Sequence, residues 1–387
     1  MAVAQIPFSV VPKQHVKSLC MIAVRKVDDQ KLDEVIATLI KEVGFAPDKS
    51  KGIFIKPNVV IGTGDSSIIT SLAVVESLIR YFPGYKITIG ERSAVGIDTY
   101  QSLERSGYVT LAKKYGVEIV DLGQVARVKV EWERGFLELP QLIFENHYIN
   151  LAKLKTHFLT TVSLCAKNQK GLLSVKDAKK FHFIGIDQAI CALGKAVKPD
   201  LNLIDGIKAL EGNGPTTFGR AKKMDVLIAG NDLFQVDSVA CRIMGIEPRE
   251  VKHLIPQQVP GHLLDAVNAL TSPFLRPELK DCLTVETVHF HNIRNCCSGC
   301  MLAIDNGINW LMSERRELWL GLSKRLAGGE TYNIYLGRGN HLNLEDSPSN
   351  VRAFGGCSAH FARRNHLPYI KGCPPAPEEI IRLFDIS

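Results

Sequence analysis

The cysteines are the residues of this chain that most directly suggest chemistry. Ten are present, and five fall late in the sequence within three short strings: N-C-C-S-G-C at 295–300, G-G-C-S at 355–358 and G-C-P-P-A-P-E-E at 372–379. Cys20, Cys165, Cys191, Cys241 and Cys282 instead sit singly in apolar, periodic segments, as small core residues do. The late group stands beside Gly, Ser, Asn or Pro, the setting of loop-borne ligands. Iron in a cubane prefers thiolates, and four of them hold one [4Fe-4S] cluster. Cys297 and Cys300 form a C-x-x-C pair able to take two corners from one loop, and Cys357 and Cys373 supply the other two. Cys296 is the residue set aside, although two adjacent cysteines can both ligate one cluster. A zinc site of four cysteines is the nearest alternative; such sites usually show two compact knuckles, and this tail has one compact pair. Unrelated buried thiols are the other alternative.

A second set of strings carries cations. These are K-P-N (56–58), G-E (90–91), A-K-L-K-T-H (152–157), A-K-N-Q-K-G (166–171), D-G-I (205–207), E-G-N-G-P (211–215) and G-N-D-L-F-Q-V-D (230–237). Lys56, Lys153, Lys155, Lys167 and Lys170, with His157, make an anion-attracting cleft if they converge. Glu91, Asp205, Glu211, Asp232 and Asp237 then balance them or bind a divalent ion; Asp232, before an apolar helical run, reads as an N-cap. In this cleft Lys155, His157 and Lys167 are the candidate catalytic groups. Lys56, Asn58, Glu91, Asn168, Lys170 and Glu211 are candidate contacts to a ligand or cofactor. E-G-N-G-P matches no Walker or dinucleotide fingerprint and reads as a tight ligand-facing loop.

These residues need a scaffold, and the hydrophobic periodicity supplies one. Residues 18–255 alternate short β-rich runs with amphipathic segments: SLCMIAVR, GIFIKP, YKITIGE, GVEIVDL, HYINLAK, LNLIDGI and MDVLIAG as strands, with LDEVIATLIKEV and the regions 70–81, 98–115, 186–197 and 232–244 as helices. That alternation predicts an α/β domain, 1–255, with a mostly parallel sheet. Proline-rich residues 256–283 read as a connector. The alternation resumes over 284–387, with TVETVHF as a strand, a helix near 301–315, YNIYLG, VRAFGGC, a helical HFARRN, PYIKGC and a closing PEEIIRLF. Each cysteine string falls after a predicted strand and before a predicted helix. In a parallel sheet such points share one edge, where helix N-termini favour an anionic cluster.

Two resemblances add to this reading. GCPPAPEEII is similar to the G-C-P-P-x-P-E segment of the small cluster-bearing subunit of respiratory complex I, shared by the small subunits of nickel–iron hydrogenases; C-S-G-C resembles their first cysteine pair. The likeness covers about residues 285–385 and implies one [4Fe-4S] cluster in a smaller, flavodoxin-like α/β domain. The interval between Cys357 and Cys373 is short for that pattern, so the loops differ. Over roughly residues 20–255 the polar strings, in order and spacing, resemble the domain of unknown function 362 family. Its members often carry iron–sulfur cysteines, but the usual ferredoxin-type insert of four is absent here.

Bulk composition fits a soluble globular chain: 387 residues, 45% hydrophobic and 22% charged, with a net charge of +7 spread over scattered residues. No apolar run approaches the ~20 residues of a membrane span, and no signal peptide is apparent, so a cytoplasmic location and no membrane partner are expected. Without clustered basic and aromatic residues, nucleic-acid binding is not expected. The leading expectation is an iron–sulfur redox protein that exchanges electrons with a small anionic substrate, or with a cofactor, in the N-terminal cleft. An electron-transfer or assembly subunit of a larger reductase, working with a redox partner protein, is one alternative; a non-redox binding protein with a structural metal site is the other.

Overall fold

The structure is a computed structural model and describes residues 21–27, 31–277, 282–285, 287–296, 298–340 and 350–386. The chain divides into two compact units: one holds residues up to 93 with 99–277, the other 94–98 with those beyond 277.

The larger unit contains β1 (Ile22–Lys26), β2 (Ile53–Lys56), β3 (Ile87–Glu91), β4 (Glu118–Asp121), β5 (Arg127–Trp132), β6 (Gly135–Pro140), β7 (His147–His157), β8 (Thr161–Val162), β9 (Leu201–Gly212) and β10 (Gly219–Gly230). The main sheet runs β1-β10-β9-β7-β2-β3-β4, with β8 paired to the end of β7 and β5–β6 forming a separate hairpin. Strands β9, β7, β2, β3 and β4 are mutually parallel, while β10 and β1 close one side antiparallel. The mostly parallel α/β sheet expected from the sequence is therefore present. From β2 the chain moves outward through β3 and β4, then returns to the other side of β2 as β7 and continues to β9. Such a reversal opens a crevice at the carboxyl ends of the strands on either side. Those ends carry Lys56 on β2 and the Lys153–His157 stretch of β7.

The helices follow their apolar spacing. Leu32–Glu42 buries Ile36, Leu39 and Ile40, positions three and four apart on one face. Leu233–Ile243 starts at Asp232, whose side chain accepts from Gln235 N at 2.8 Å, as an N-cap should. The predicted helix over 98–115 is broken in two, Thr99–Arg105 and Tyr108–Tyr115. Between them Gly107 has φ +82°, and a Cβ there would stand 2.8 Å from Leu72 Cδ1, so the chain turns where only glycine is comfortable. Cys165 and Cys241 are fully buried in one cluster with Ala152, Leu154, Ile204 and Ile228. Residues 256–277, expected as a connector, belong to this unit and contribute Leu263, Val267 and Phe274 to that cluster. Cys20 lies outside the described residues.

The smaller unit holds β11 (Cys282–Val285), β12 (Val288–His291), β13 (Tyr332–Tyr335), β14 (Val351–Phe354) and β15 (Tyr369–Ile370) in that spatial order. The segment TVETVHF, expected as one strand, is split between β11 and β12, which pair antiparallel; β12 to β15 are parallel. The four parallel strands follow chain order, a plainer path than the 2-1-3-4-5 order of flavodoxin. Helices Ser298–Glu314 and Ala359–Arg364 follow β12 and β14. Among the described residues no helix is long and apolar enough to cross a membrane.

Candidate functional site

In the larger unit the crevice at the ends of β2 and β7 gathers most of the predicted residues. Lys56 Nζ lies 2.8 and 3.0 Å from the two carboxylate oxygens of Glu91, at the end of neighbouring β3. It also donates to Asn168 Oδ1 at 3.2 Å, and Asn58 Nδ2 reaches the same oxygen at 3.1 Å. Asn168 Nδ2 in turn donates to Asn150 Oδ1 at 2.9 Å, and Asn150 to Asn202 Oδ1 at 3.1 Å, which ties helix Leu164–Asn168 to β7 and β9. Glu91 accepts further from the backbone N–H of Val59 and Arg92. Gly171 presses on this knot: a Cβ there would fall 2.2 Å from Glu91 Oε1 and 2.8 Å from Lys56 Nζ. Gly171→Ala should therefore separate the buried pair and cost at least ~1–3 kcal/mol, measured as a lower denaturation midpoint; an unchanged midpoint would show that the pair can shift aside freely.

Three lysines are buried side by side, and their partners differ. Lys56 has Glu91, and Lys153 Nζ has Asp205 Oδ2 at 2.8 Å with both side chains wholly buried. Lys155 has neutral acceptors only: Asn58 Oδ1 and Ile68 O at 2.7 Å, and Pro215 O at 3.4 Å. Burial, with Lys153 and Lys56 adding to it and Glu91 opposing, brings the Lys155 pKa down to about 7. Near neutrality this amine can therefore hold or release a proton, as a catalytic lysine must.

Beyond Lys155 lie more basic groups and little to neutralise them. His157 is 2% exposed, and burial holds its pKa well below the usual imidazole range, with Lys167 and Lys170 reinforcing the effect. Its Nδ1 accepts from Leu159 N at 3.1 Å, so the neutral ring carries its proton on Nε2. Lys167 is half-buried, its ammonium makes no hydrogen bond or ion pair among the described residues, and burial with Lys170 and Lys155 holds its pKa well below the ordinary value, Asp187 opposing. Lys170 stands at the rim, its carbonyl accepting from Arg92 at 3.5 Å. Glu211, by contrast, is engaged elsewhere. It meets Arg220 at 3.0 Å and Lys222 at 3.3 Å on β10 and accepts from Leu275 N. It takes no part in the Lys56–Lys155 network, because β10, folding back antiparallel on β9, supplies it with its own cations.

Several participants carried no sequence signal that reasoning picked up. Arg92 extends the acidic end of β3 with a guanidinium whose Nε is buried and unpartnered among the described residues. Asp237, weighed from the sequence as a counter-charge or ligand to a divalent ion, is instead fully buried and accepts from the N–H groups of Cys165 and Ala166 at 2.8 Å, and burial pushes its carboxyl up to about 7. Asp187 and His253, 66 positions apart, meet at 3.0 Å. The only hint of the last was a lone histidine inside the apolar run V-K-H-L-I. A cavity of about 410 Å³ elsewhere in this unit, lined by Trp132, Ala192 and Ala196 among others, shares no residue with the crevice.

Residues 53–242 match the family Domain of unknown function (DUF362). The DUF362 match spans β2 to the helix after β10, so it contains the crevice and every candidate residue in it. The chain is also similar to the thylakoid-associated protein sll1697 of Synechocystis sp., 27% identical over 281 residues, which is 68% of this chain and 85% of that protein.

The part of the smaller unit beyond residue 277, outside the DUF362 match, bears the late cysteines. Cys296 and Cys300 are buried and follow β12, while Cys357 and Cys373 are exposed and follow β14 and β15. These are segments that follow three strands of one parallel set, β13 lying between β12 and β14. Burial raises the pKa of the Tyr369 hydroxyl, Arg363 opposes it, and the thiols of Cys300, Cys357 and Cys373 raise it further, so all three lie within electrostatic reach of one group. Gly355, at φ +90°, leaves its Cβ direction to Cys300: an added carbon would be 2.5 Å from the sulfur. Cys297 lies outside the described residues. Among those described, no group of three or more His, Cys, Asp or Glu is gathered tightly enough to hold a metal ion. In kind the donors suit a cubane: soft thiolates, on glycine-bearing loops, at one edge of a sheet.

Proposed function

We propose that this chain is a cytoplasmic iron–sulfur redox protein. In this reading its smaller unit holds one [4Fe-4S] cluster on Cys297, Cys300, Cys357 and Cys373, and its larger unit binds a small anionic substrate or cofactor in the crevice beside Lys155. What supports the reading is the backbone before Cys357: a Cβ added at Gly355 would lie 2.5 Å from Cys300 Sγ and one at Gly356 3.7 Å from Cys373 Cβ, so the loops bearing these cysteines approach one another after strands of one parallel sheet. A cluster bound there supplies one-electron transfer with a redox partner protein. The crevice is read from its charges: among the described residues the Lys167 ammonium makes no hydrogen bond or ion pair, and the acceptors of Lys155 are neutral. Lys167 then meets the charge of the anion, His157 donates its Nε2–H to an oxygen, and Lys155 exchanges a proton with the bound molecule near pH 7. The acids nearest the lysines, Glu91 and Asp205, are already committed to Lys56 and Lys153 and fix the walls.

The test is anaerobic purification followed by iron and sulfide analysis and EPR. About four irons and four sulfides per chain are expected. Cys300→Ser or Cys373→Ser should abolish or convert the cluster, whereas Cys241→Ser, deep in the other unit's core, should leave iron content unchanged. One zinc per chain without sulfide would overturn the redox reading and leave a structural metal site. Stoichiometric reduction with no small-molecule turnover would make the chain an electron-transfer subunit.

A further inference from the structure

Asn58, Asn168, Asn150 and Asn202 form a chain of carboxamides that starts at Lys155. The way each one points is fixed by groups that cannot exchange roles. Asn168 Oδ1 stands 3.2 Å from Lys56 Nζ, an ammonium held by Glu91 that can only donate. Asn168 Nδ2 faces the backbone carbonyls of Lys56, Pro57 and Leu151 at 3.4, 3.5 and 3.5 Å, and these can only accept. Turned over, Asn168 would set nitrogen against the ammonium and oxygen against three carbonyls. Asn58 Nδ2 donates to that same Asn168 Oδ1 at 3.1 Å, which leaves Asn58 Oδ1 for Lys155 Nζ at 2.7 Å. The Asn58 backbone is held as well, its N–H donating to Thr70 Oγ1 at 2.9 Å. A neutral Lys155 has a lone pair and would accept from a carboxamide turned the other way. For Asn58 that turn would bring its oxygen against Asn168 Oδ1, two acceptors with no proton between them, and a buried contact of that kind is costly. Asn58 therefore offers Lys155 an acceptor with or without the proton there.

We propose that Asn58 is a positioning residue for Lys155, and that Lys56, acting through Asn168, locks the Asn58 oxygen onto that amine whatever its charge. This rests on the reading of Lys155 as the proton-exchanging group of the crevice. A fixed acceptor favours the charged form of an amine. Burial disfavours it, as do Lys153 on the same strand and Lys56 on β2, while Glu91 on β3 opposes them. Lys167, on helix Leu164–Asn168, is a further cation within electrostatic reach. The lock offsets part of the burial penalty and keeps the amine able to take up a proton near neutrality. Ile68 O, also at 2.7 Å, is a second acceptor, but it belongs to the backbone and has no side chain to turn.

NMR titration of the full chain with isotope-labelled lysine, the Lys155 signal assigned by its loss in Lys155→Met, tests the idea. In Asn58→Leu a side chain of similar size excludes water and offers no acceptor. Its Lys155 protonation midpoint should fall by about one pH unit or more from the wild-type value of about 7, a tenfold or greater loss of proton affinity. Asn168→Leu leaves Asn58 in place but frees its carboxamide to turn, and should lower the midpoint too. The double variant should fall no further than Asn58→Leu, because the two residues act as one unit. A role confined to packing would lower the denaturation midpoint and leave the protonation midpoint unmoved. An unchanged protonation midpoint in Asn58→Leu would overturn the proposal, and shifts that add in the double variant would refute the link through Asn168. Should Asn168→Leu fail to fold, the wild type decides: cross-peaks from the Asn58 side-chain amide protons to the Lys155 methylenes that grow above the midpoint would show the carboxamide turning and refute the lock. A wild-type midpoint at the ordinary lysine value would instead overturn the crevice reading, and the shifts in the variants would still decide the lock.

Discussion

Asp205→Ala should destabilise the protein by about 3–5 kcal/mol, because it leaves a buried ammonium without its counter-charge. Lys153 and Asp205 have no exposed side-chain surface, and Nζ is 2.8 Å from Oδ2. The same carboxylate accepts from the backbone N–H of Ser71 and Ile207, so part of the loss belongs to those bonds. Urea midpoints of the wild type, Asp205→Ala, Lys153→Met and the double variant separate the two causes. If the stranded charge dominates, the double variant recovers most of the loss, since an apolar replacement of a buried ion pair is often neutral. A double variant no better than Asp205→Ala would assign the loss to the backbone bonds.

Lys155 should reveal itself in how stability depends on pH. Its pKa is lowered from 10.5 to about 7. Below pH 7 the folded protein carries the ammonium in a site that disfavours charge, so the full penalty is present. Between about 7 and 10.5 the folded amine is neutral while the unfolded chain still binds the proton, so the penalty shrinks as pH rises. Relative to Lys155→Met, the wild type should therefore gain stability by up to about 1.4 kcal/mol per pH unit from pH 7 upward. Taking the difference cancels Lys56 and Lys153, whose shifts come from burial and from charges other than Lys155. Denaturant titrations at pH 6, 8 and 9.5 measure it, and a constant difference would mean that the amine keeps an ordinary pKa. The variant should also lose anion binding and any turnover.

The strands of the larger unit were legible because each is a compact apolar run, and β2, β3, β7 and β9 appear where the periodicity placed them. Lys56, Asn58, Asn168 and Lys155 were legible as a group because polar residues at strand ends of a parallel sheet share an edge. Which cation meets which acid was not, since pairing depends on strand order: Glu91 reaches Lys56 because β3 lies beside β2, and Glu211 meets Arg220 because β10 folds back on β9. The Asp187–His253 contact joins a helix to a loop, and no local pattern encodes it. The broken helix near Gly107 was missed because the apolar spacing continues across the break.

The eleven-residue β7 is buried along nearly its whole length and delivers Lys153, Lys155 and His157 at alternate positions, with Leu154 and Thr156 between them and Ala152 just before. Side chains of a strand change face at every step. A single inserted or deleted codon upstream of Lys153, within the strand, would turn three basic groups into the apolar layer and expose leucine and alanine to the crevice. Substitutions elsewhere in this unit can be absorbed one at a time, but the length of this strand cannot drift. Among descendants of one ancestor, gaps should accumulate in the β5–β6 hairpin and the loops around it, and the stretch from His147 to His157 should stay free of them.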